Sequence, residues 1–254
     1  MSDILIRTED AISVIAFDRL QKKNSITAAM YAQLADALES AARDASVRCV
    51  LIHGHETIFS AGNDIVDFLN DPPAGEDAPV FRFLKSLSGC PKPIVAAVCG
   101  PAVGIGTTML LHCDLVYAGD NARFSMPFVN LGLCPEAASS LLVPARVGWQ
   151  RAAQMLLLGE SIDAAQAHAW GLVNRVLEPA QVLGQAIESA RALAGKPLSA
   201  LVETKRLMKS ASVDQVAHSI AEEAGSFLRM LREPAAIEAF SAFTERRKPD
   251  FSKF

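Results

Sequence analysis

The sequence predicts an α/β protein with a C-terminal helical region, and three observations support this fold class. Strand-like and helical patterns alternate over the first two thirds of the 254 residues. The last third is almost entirely helical in its periodicity. Half of the residues are hydrophobic and 20% are charged, which is typical of a globular chain with a sizeable core. We place the α/β core at residues 1–195 and the helical region at 196–254.

The first half of the chain supplies most of the predicted strands. Residues 3–8 and 11–17 alternate between apolar and polar side chains and predict a hairpin. A helix is predicted from Thr27, a residue type favoured at N-caps, to about residue 43. Residues 70–79 combine proline, glycine and acids and predict a mobile surface loop, of a kind that often covers a pocket. The other predicted elements are strands at 47–52, 93–98 and 114–117 and helices at 80–87 and 105–111.

The chain becomes mostly helical after Gly132, and only residues 173–177 have a strand-like pattern. Trp149 and Trp170 fall in helical patterns, and we expect both to lie in the core. The helices are predicted at 137–146, 149–158, 163–169, 180–194, 198–209, 213–231 and 234–244.

Charge and cysteine content limit the classes of function. The formal net charge of −4 provides no global attraction for nucleic acid or an anionic membrane surface, so neither partner is expected. The N-terminal segment lacks the features of a signal peptide, and no apolar run reaches about 18 residues. The five cysteines form no C-x-x-C pair, which is typical of reduced thiols. We therefore expect a cytoplasmic protein, because residues 252–254 also differ from the peroxisomal address.

His53 and His55 are the one short-range pair that suggests a metal site. No cysteine or acid motif completes a set of ligands around them. We therefore expect no metal.

Two glycine turns follow predicted buried strands and precede predicted helices, at residues 59–64 (FSAGND) and 100–106 (GPAVGIG). Glycine permits a positive φ, and the first amides of a helix lack intrahelical acceptors, so each turn can hold an anion or a developing oxyanion. The second turn is not a P-loop, since no lysine follows, and it lacks the third glycine of a dinucleotide fingerprint. Either turn, taken alone, is better explained by glycine used only for tight turning.

A third segment, residues 125–136, is an apolar loop with a single acid, Glu136. This glutamate could lie in the first turn of the next helix, where the helix dipole favours a negative charge. It could also be the acid and base of an active site. The local sequence, taken alone, favours the first interpretation.

These three segments, in this order and at this spacing, resemble the crotonase (enoyl-CoA hydratase/isomerase) superfamily, over about residues 5–250. The resemblance implies a crotonase-like ββα spiral core with a coenzyme A pocket, and a C-terminal helical region that takes part in trimerisation and closes the site. A homotrimer or a dimer of trimers is expected. The backbone N–H groups of Asn63 and Ile105 are implied to form the oxyanion hole for the thioester carbonyl.

The acidic residues indicate which reaction of the superfamily to expect. Hydratases of this type hold a water between two carboxylates, and the matching positions here are Thr108 and Phe128, which do not ionise near neutral pH. Glu136 occupies the place of the lone catalytic glutamate in the peroxisomal type of Δ3,Δ2-enoyl-CoA isomerase. The resemblance thus implies an isomerase of fatty acid β-oxidation, in which Glu136 moves a proton from C2 to C4 of a 3-enoyl-CoA. Coenzyme A is part of the substrate, and no separate cofactor is expected.

Other functions stay open from the sequence. Another crotonase reaction on an acyl-CoA, hydratase-like or hydrolytic, is the alternative. Hydrolysis or dehalogenation would need a nucleophile or a water-holding carboxylate near the thioester, and Asp64, Asp67 or Glu160 could serve only if the fold turned them inward. A noncatalytic acyl-CoA binder or an RNA-binding member would keep the fold without using the acid.

An acidic protein must supply local cations for the phosphates of coenzyme A. Arg19, Lys22 and Lys23 lie in a turn past which related enzymes bring the cofactor moiety of their substrates, and we predict that they bind it. The remaining predicted contacts with the substrate come from the glycine turns and the apolar loop: Ala61, Gly62, Asp64, Ile65, Val66, Gly104, Phe128 and Leu131.

Overall fold

The computed structural model describes residues 2–73, 75 and 77–254, and two β-sheets organise the chain. The strands are β1 (Ile4–Glu9), β2 (Ile12–Phe17), β3 (Cys49–His53), β4 (Ile94–Val98), β5 (Pro101–Val103), β6 (Leu115–Gly119), β7 (Arg123–Ser125), β8 (Ile162–Asp163) and β9 (Arg175–Leu177). Six of them form a sheet in the order β1-β2-β3-β4-β6-β9, in which only the β1–β2 pair is antiparallel. The second sheet has the order β5-β7-β8.

Helices cover the sheets and form the C-terminal region. They are α1 (Ala28–Arg43), α2 (Ile65–Asn70), α3 (Pro79–Ser88), α4 (Ile105–Thr108), α5 (Ser139–Val147), α6 (Trp149–Leu156), α7 (Ala164–Ala169), α8 (Pro179–Ala194), α9 (Leu198–Lys209), α10 (Val213–Met230) and α11 (Pro234–Thr244). Among the helices that the structure describes, none combines the length and the apolar character that a bilayer crossing requires.

The large sheet separates two hydrophobic cores. Successive side chains of a strand point to opposite faces, so Val50 and Ile52 of β3 pack in the larger core, whereas Leu51 packs in the smaller one. The smaller core is closed by α8, which contributes Val182 and Ala186 among other residues of its buried face. The strong apolar character of β3 and β4 follows from this burial on both faces.

The predicted α/β class with C-terminal helices is confirmed, whereas one sheet was missed. Strands β5, β7 and β8 have two or three residues each, which is too short for a recognisable alternation. The predicted helix at 105–111 is a short α-helix, α4, followed by a 3₁₀ turn at Met109–His112. The boundary between residues 195 and 196 stays a prediction, although it falls in the short connection from α8 to α9.

The expectation that Trp149 lies in the core is wrong, because its side chain is 70% exposed. Trp149 is the first residue of α6, and the buried face of that helix consists of Ala152, Met155 and Leu156. Trp170 is partly buried against the larger core, with the Arg151 guanidinium 5.2 Å from the centre of its ring. Helical periodicity identified α6 and not which face of it is covered.

The acidic, proline-rich segment lies between α2, which ends at Asn70, and α3, which begins at Pro79. Positions 74 and 76 are outside the described residues. Pro73 lines a cavity that also contains Glu136, so the segment reaches the interior beside the candidate site. Its predicted mobility stays a prediction.

Candidate active site

The two glycine turns are held together by direct backbone contacts. Ser60 and Ala102 form a parallel bridge, in which Val103 N–H donates to the Ser60 carbonyl at 2.9 Å. Gly62 has φ +86°, and a Cβ there would lie only 2.8 Å from the Val103 carbonyl oxygen. A Cβ on Gly106 would lie 2.9 Å from the Ser60 carbonyl oxygen. Glycine is therefore required where one turn crosses the other.

The crossing directs two backbone amides toward the same cleft. Ile26 N–H donates to the Gly62 carbonyl, and the Ile26 carbonyl accepts from Asp64 N–H, so Ile26 pairs with the two neighbours of Asn63. In such a parallel bridge the N–H of the middle residue, Asn63, points away from the paired segment. Ile105 is the first residue of α4, so its N–H has no acceptor within the helix. Over the described part of the chain, neither N–H donates to a protein acceptor. Both residues line the cleft.

The cleft has a volume of about 550 Å³ and a mostly apolar wall. Both turns, the start of α2 and the apolar loop contribute to it, as the sequence predicted. Phe227 of α10 and Phe240 and Phe243 of α11 complete it, and sequence reasoning did not name these three. The predicted residues found on the wall are Lys22, Lys23, Ala61, Gly62, Asn63, Asp64, Ile65, Val66, Gly104, Ile105, Phe128 and Leu131.

Arg19 is the one predicted contact residue that the structure does not bring to the wall of the cleft. Its guanidinium lies 2.7 Å from Asp64 and 3.3 Å from Asp3, and it also donates to Ser25. These partners tie the lysine-bearing turn to the N-terminus of α2. Lys22 and Lys23 are exposed at the cleft, and in the described residues no carboxylate forms an ion pair with either.

Glu136 lies beside the cleft in a small inner cavity of about 10 Å³. Asn63, Phe68 and Phe227 line both spaces, so the cavity that Glu136 lines adjoins the cleft at one of the two residues predicted to form the oxyanion hole. Its side chain is nearly sealed from solvent, and the residue is only 7% exposed. Thr108 Oγ1 donates a hydrogen bond to Glu136 Oε1 at 3.1 Å. Thr108, which occupies one of the two hydratase carboxylate positions, is therefore a hydrogen-bond partner of Glu136.

The surroundings of Glu136 favour its neutral form. Burial raises its pKa to about 8, and the negative charge of Glu223 adds to this shift. The hydrogen bond from Thr108 acts in the opposite direction. A carboxyl group with this pKa can both take up and release a proton near neutral pH.

The predicted helix at 137–146 begins two residues later than expected, at Ser139. Ala137 and Ala138 have φ +60° and +56°, a left-handed conformation that costs residues with a side chain about 1 kcal/mol or more each. The Glu136 carbonyl accepts hydrogen bonds from Ser139 N–H at 3.0 Å and Ser139 Oγ at 2.6 Å. Glu136 therefore precedes the helix, and its interpretation as a first-turn residue is wrong.

The other candidate carboxylates are engaged elsewhere. Asp64 caps α2 through Oδ1 and binds Arg19 through Oδ2. Asp67 accepts the Ala28 N–H at 2.8 Å. Glu160 is exposed and accepts a hydrogen bond from Gln154. None of the three carboxylates is placed as a free base beside the two amides.

His53 and His55 do not belong to a recognisable set of metal ligands. Across residues 2–73, 75 and 77–254, no three His, Cys, Asp or Glu side chains come together as such ligands would. His53 Nδ1 instead contacts the carbonyl of Gly54 at 2.9 Å.

Two polar residues of the site were missed from the sequence. Tyr31, which is buried in α1, donates its hydroxyl to Asn63 Oδ1. Burial raises the pKa of Tyr31, so the hydroxyl keeps its proton near neutral pH. Glu223 contacts the backbone after Glu136 and lies on one face of α10 between Ile220 and Phe227. An acid at that spacing was the available signal, since it falls within an apolar helical stripe.

The same chain order and fold occur in known proteins. The model of the enoyl-CoA hydratase/isomerase family matches residues 7–253. This chain belongs to that family. The solved structure of OdaA from Pseudomonas aeruginosa is 50% identical in sequence and has a TM-score of 0.95, covering 97% of this chain and 100% of that one. The crotonase fold predicted from the three segments is therefore confirmed.

Curated relatives in the family catalyse reactions of coenzyme A esters. The chain is 34% identical to 1,2-epoxyphenylacetyl-CoA isomerase of Escherichia coli strain K12, over 99% of both proteins. It is 35% identical to human enoyl-CoA delta isomerase 2, over 87% of this chain and 57% of the human protein. Hydratases and dehalogenases are related at a similar level. This enoyl-CoA hydratase/isomerase family member is thus an acyl-CoA enzyme, and the family alone does not specify its reaction.

Proposed function

We propose that this protein is a Δ3,Δ2-enoyl-CoA isomerase, with a place in fatty acid β-oxidation. The observation that carries the proposal is one buried carboxyl group, Glu136, in a cavity that adjoins the cleft lined by Asn63 and Ile105. Among the described residues no cation forms an ion pair with Glu136, and no protein acceptor bonds either N–H. The two hydratase positions hold Thr108, which donates to Glu136, and Phe128, which is part of the apolar wall. The human isomerase among the relatives supports the same reaction class.

A double-bond shift needs one group that first removes and then returns a proton. The Glu136 carboxylate takes a proton from C2 of the 3-enoyl thioester, and the electrons move into a dienolate. The thioester oxygen then carries the negative charge and accepts hydrogen bonds from Asn63 N–H and Ile105 N–H, each of which is worth about 2.7–4 kcal/mol in comparable sites. Protonated Glu136 returns the proton to C4, which leaves the double bond at C2. The reaction consumes no water, and the coenzyme A of the substrate is its only cofactor moiety.

The pKa of Glu136 predicts how the rate depends on pH. The free enzyme acts only when Glu136 is ionised, which at pH 7 is true of about one molecule in ten for a pKa of about 8. We expect kcat/KM for 3-hexenoyl-CoA to rise about tenfold per pH unit below pH 8 and to level off above it. Initial rates between pH 6 and pH 9.5 measure this limb, and a constant kcat/KM over that range would contradict the assignment.

Substrate tests separate isomerisation from hydration. The protein is incubated separately with 3-hexenoyl-CoA and 2-hexenoyl-CoA, and double-bond migration and addition of water are followed by ultraviolet absorbance and mass spectrometry. The proposal expects migration of the 3-enoyl ester and little hydration of the 2-enoyl ester, because Thr108 and Phe128 occupy the two positions at which hydratases carry the carboxylates that hold a water. Fast hydration without migration would overturn it.

Lys22 and Lys23 are proposed to bind the phosphates of coenzyme A, because they are the exposed cations on the wall of the cleft. Replacing both with alanine is expected to raise KM about tenfold with kcat unchanged, since the phosphates are remote from the reacting carbons. Added salt should raise KM of the parent more than that of the variant. Lys196→Ala, at another exposed lysine, is the control. An unchanged KM in the double variant would exclude the assignment.

A further inference from the structure

Glu223 is a buried acid that is held by backbone amides. The residue is 7% exposed, lies on α10, and forms no salt bridge with a cation in the described residues. Its Oε2 accepts the Ala138 N–H at 2.6 Å, and its Oε1 accepts the Ser140 N–H at 2.9 Å and the Ser140 hydroxyl. Both amides belong to the chain that leads from Glu136 into α5.

This arrangement supplies a helix cap from a distant part of the sequence. Ala138 stands at the N-cap of α5 and has no side-chain oxygen that could accept the first amides of the helix. The Glu223 carboxylate, 85 residues further along the chain, takes that role. It also lies where the helix dipole favours a negative charge. Without it, the fully buried Ala138 would keep an unsatisfied N–H in an unfavourable left-handed conformation.

The capped segment is the one that carries Glu136. Its backbone is held from three sources: Ser139 donates to the Glu136 carbonyl, His112 Nε2 donates to the Ala137 carbonyl at 2.8 Å, and Glu223 accepts the Ala138 and Ser140 N–H groups. Of these, only the last comes from α10. The same helix supplies Ile220 and Phe227 to the cavity that contains Glu136. One helix, α10, thus contacts both the backbone that bears the glutamate and the cavity in which the glutamate lies.

We infer that Glu223 is a positioning residue: by holding Ala138 and Ser140 it aims the Glu136 carboxyl group at the reacting carbons. This inference rests on the proposed function for the meaning of Glu136. It adds a residue that contacts neither the cleft nor the thioester. Because the Glu223 charge also acts on Glu136, its removal should change how readily Glu136 ionises.

Glu223→Gln is the test variant, because it keeps the shape and one carbonyl oxygen. The glutamine oxygen can accept one amide, while its NH₂ group would face the other N–H, so the turn should lose its fixed geometry. We expect kcat for 3-hexenoyl-CoA to fall at least about tenfold with KM changed less than about threefold. Glu222→Gln is the matched control, since Glu222 is the neighbouring exposed acid on the same helix and should leave both constants unchanged.

A second substitution distinguishes positioning from general destabilisation. Glycine adopts a positive φ without steric cost, so Ala138→Gly in the Glu223→Gln background should restore part of the lost kcat. A role limited to folding would instead change the melting temperature and leave kcat per folded site as in the parent. If Glu223→Gln does not fold, Glu223→Asp, which keeps the charge and draws the carboxylate back by one methylene, carries the same kinetic test, with the same expected loss of kcat.

Titration of Glu136 gives a readout that does not depend on turnover. The carboxyl ¹³C signal of Glu136, assigned by its loss in Glu136→Gln, should titrate at lower pH in Glu223→Gln, because a like charge has been removed. Tyr31, Cys134 and Thr108 also face this group and are unchanged in the variant. If the parent protein fails to isomerise 3-hexenoyl-CoA and the Glu136 titration nevertheless shifts in Glu223→Gln, the proposed function is overturned and the action of Glu223 on Glu136 is supported. If the parent is active and Glu223→Gln has the same kcat and the same Glu136 titration as the parent, the role of Glu223 is overturned.

Discussion

Glu136→Gln is expected to lower kcat for isomerisation of 3-hexenoyl-CoA by about 10⁴-fold, the upper end of what a positioned acid–base group contributes. The effect should be this large because the same carboxyl group performs both proton transfers. Glutamine has nearly the same size and can still accept the hydrogen bond from Thr108, so the cavity should keep its shape. Rates are measured with freshly purified variant at pH 9, where the parent is fully active.

Two further measurements make this result specific. Binding of a saturated acyl-CoA should be unchanged, because the cleft wall proposed to hold the coenzyme A moiety consists of other residues. Glu160→Gln, at an exposed acid, should retain the activity of the parent. A Glu136→Gln protein that isomerises within tenfold of the parent rate would show that another group moves the proton.

The same substitution should stabilise the protein at alkaline pH. The pKa of Glu136 rises from the ordinary 4.5 to about 8 on folding, so the folded state binds the proton more strongly than the unfolded state. The free energy of unfolding of the parent therefore falls as pH increases between these two values, by an amount on the order of a few kcal/mol. Glutamine stays neutral and has no such dependence. Chemical denaturation at pH 5 and pH 9 should show a stability advantage of the variant that grows with pH.

Gly62→Ala is expected to reduce kcat/KM by about 10²–10³-fold, the effect of losing one donor of an oxyanion hole. A methyl group at this position would lie 2.8 Å from the Val103 carbonyl oxygen, and the φ of +86° disfavours any side chain. The chain can relieve both conflicts only by moving Asn63 or the opposite turn that leads to Ile105. Either movement separates the two N–H groups from the thioester oxygen.

Gly184→Ala provides the comparison for this variant. Gly184 lies within α8, and no atom lies within 4 Å of a Cβ placed there, so alanine should leave activity intact and stabilise the helix slightly. Circular dichroism and melting temperature establish that Gly62→Ala is folded before its rates are compared. A folded Gly62→Ala protein with the kcat/KM of the parent would remove the Asn63 amide from the proposed mechanism.

The sequence predicted the parts of the site that depend on local chemistry. The glycines at 62 and 104 have positive φ, as turns ahead of helices require, and the residues that follow them present free amides. What it could not predict depends on contacts between distant segments. The left-handed Ala137 and Ala138 are stabilised by distant residues, since His112 contacts the Ala137 carbonyl and Glu223 accepts the Ala138 N–H, and alanine by itself carries no preference for that conformation. The sequence predicts that Arg19 binds the ligand, because nothing in it indicates the ion pair of Arg19 with Asp64, which lies 45 residues further along the chain.

The seal around Glu136 has a consequence for the fate of the transferred hydrogen. A cavity of about 10 Å³ is at the lower limit for one water molecule, so the newly protonated carboxyl group has little solvent with which to exchange. A 3-enoyl-CoA carrying two deuterium atoms at C2 should therefore yield a 2-enoyl product with one deuterium at C2 and the other at C4, even in ordinary water. Mass spectrometry and ²H NMR of the product would measure this retention. Complete loss of the migrating label would show that water reaches the glutamate during each turnover.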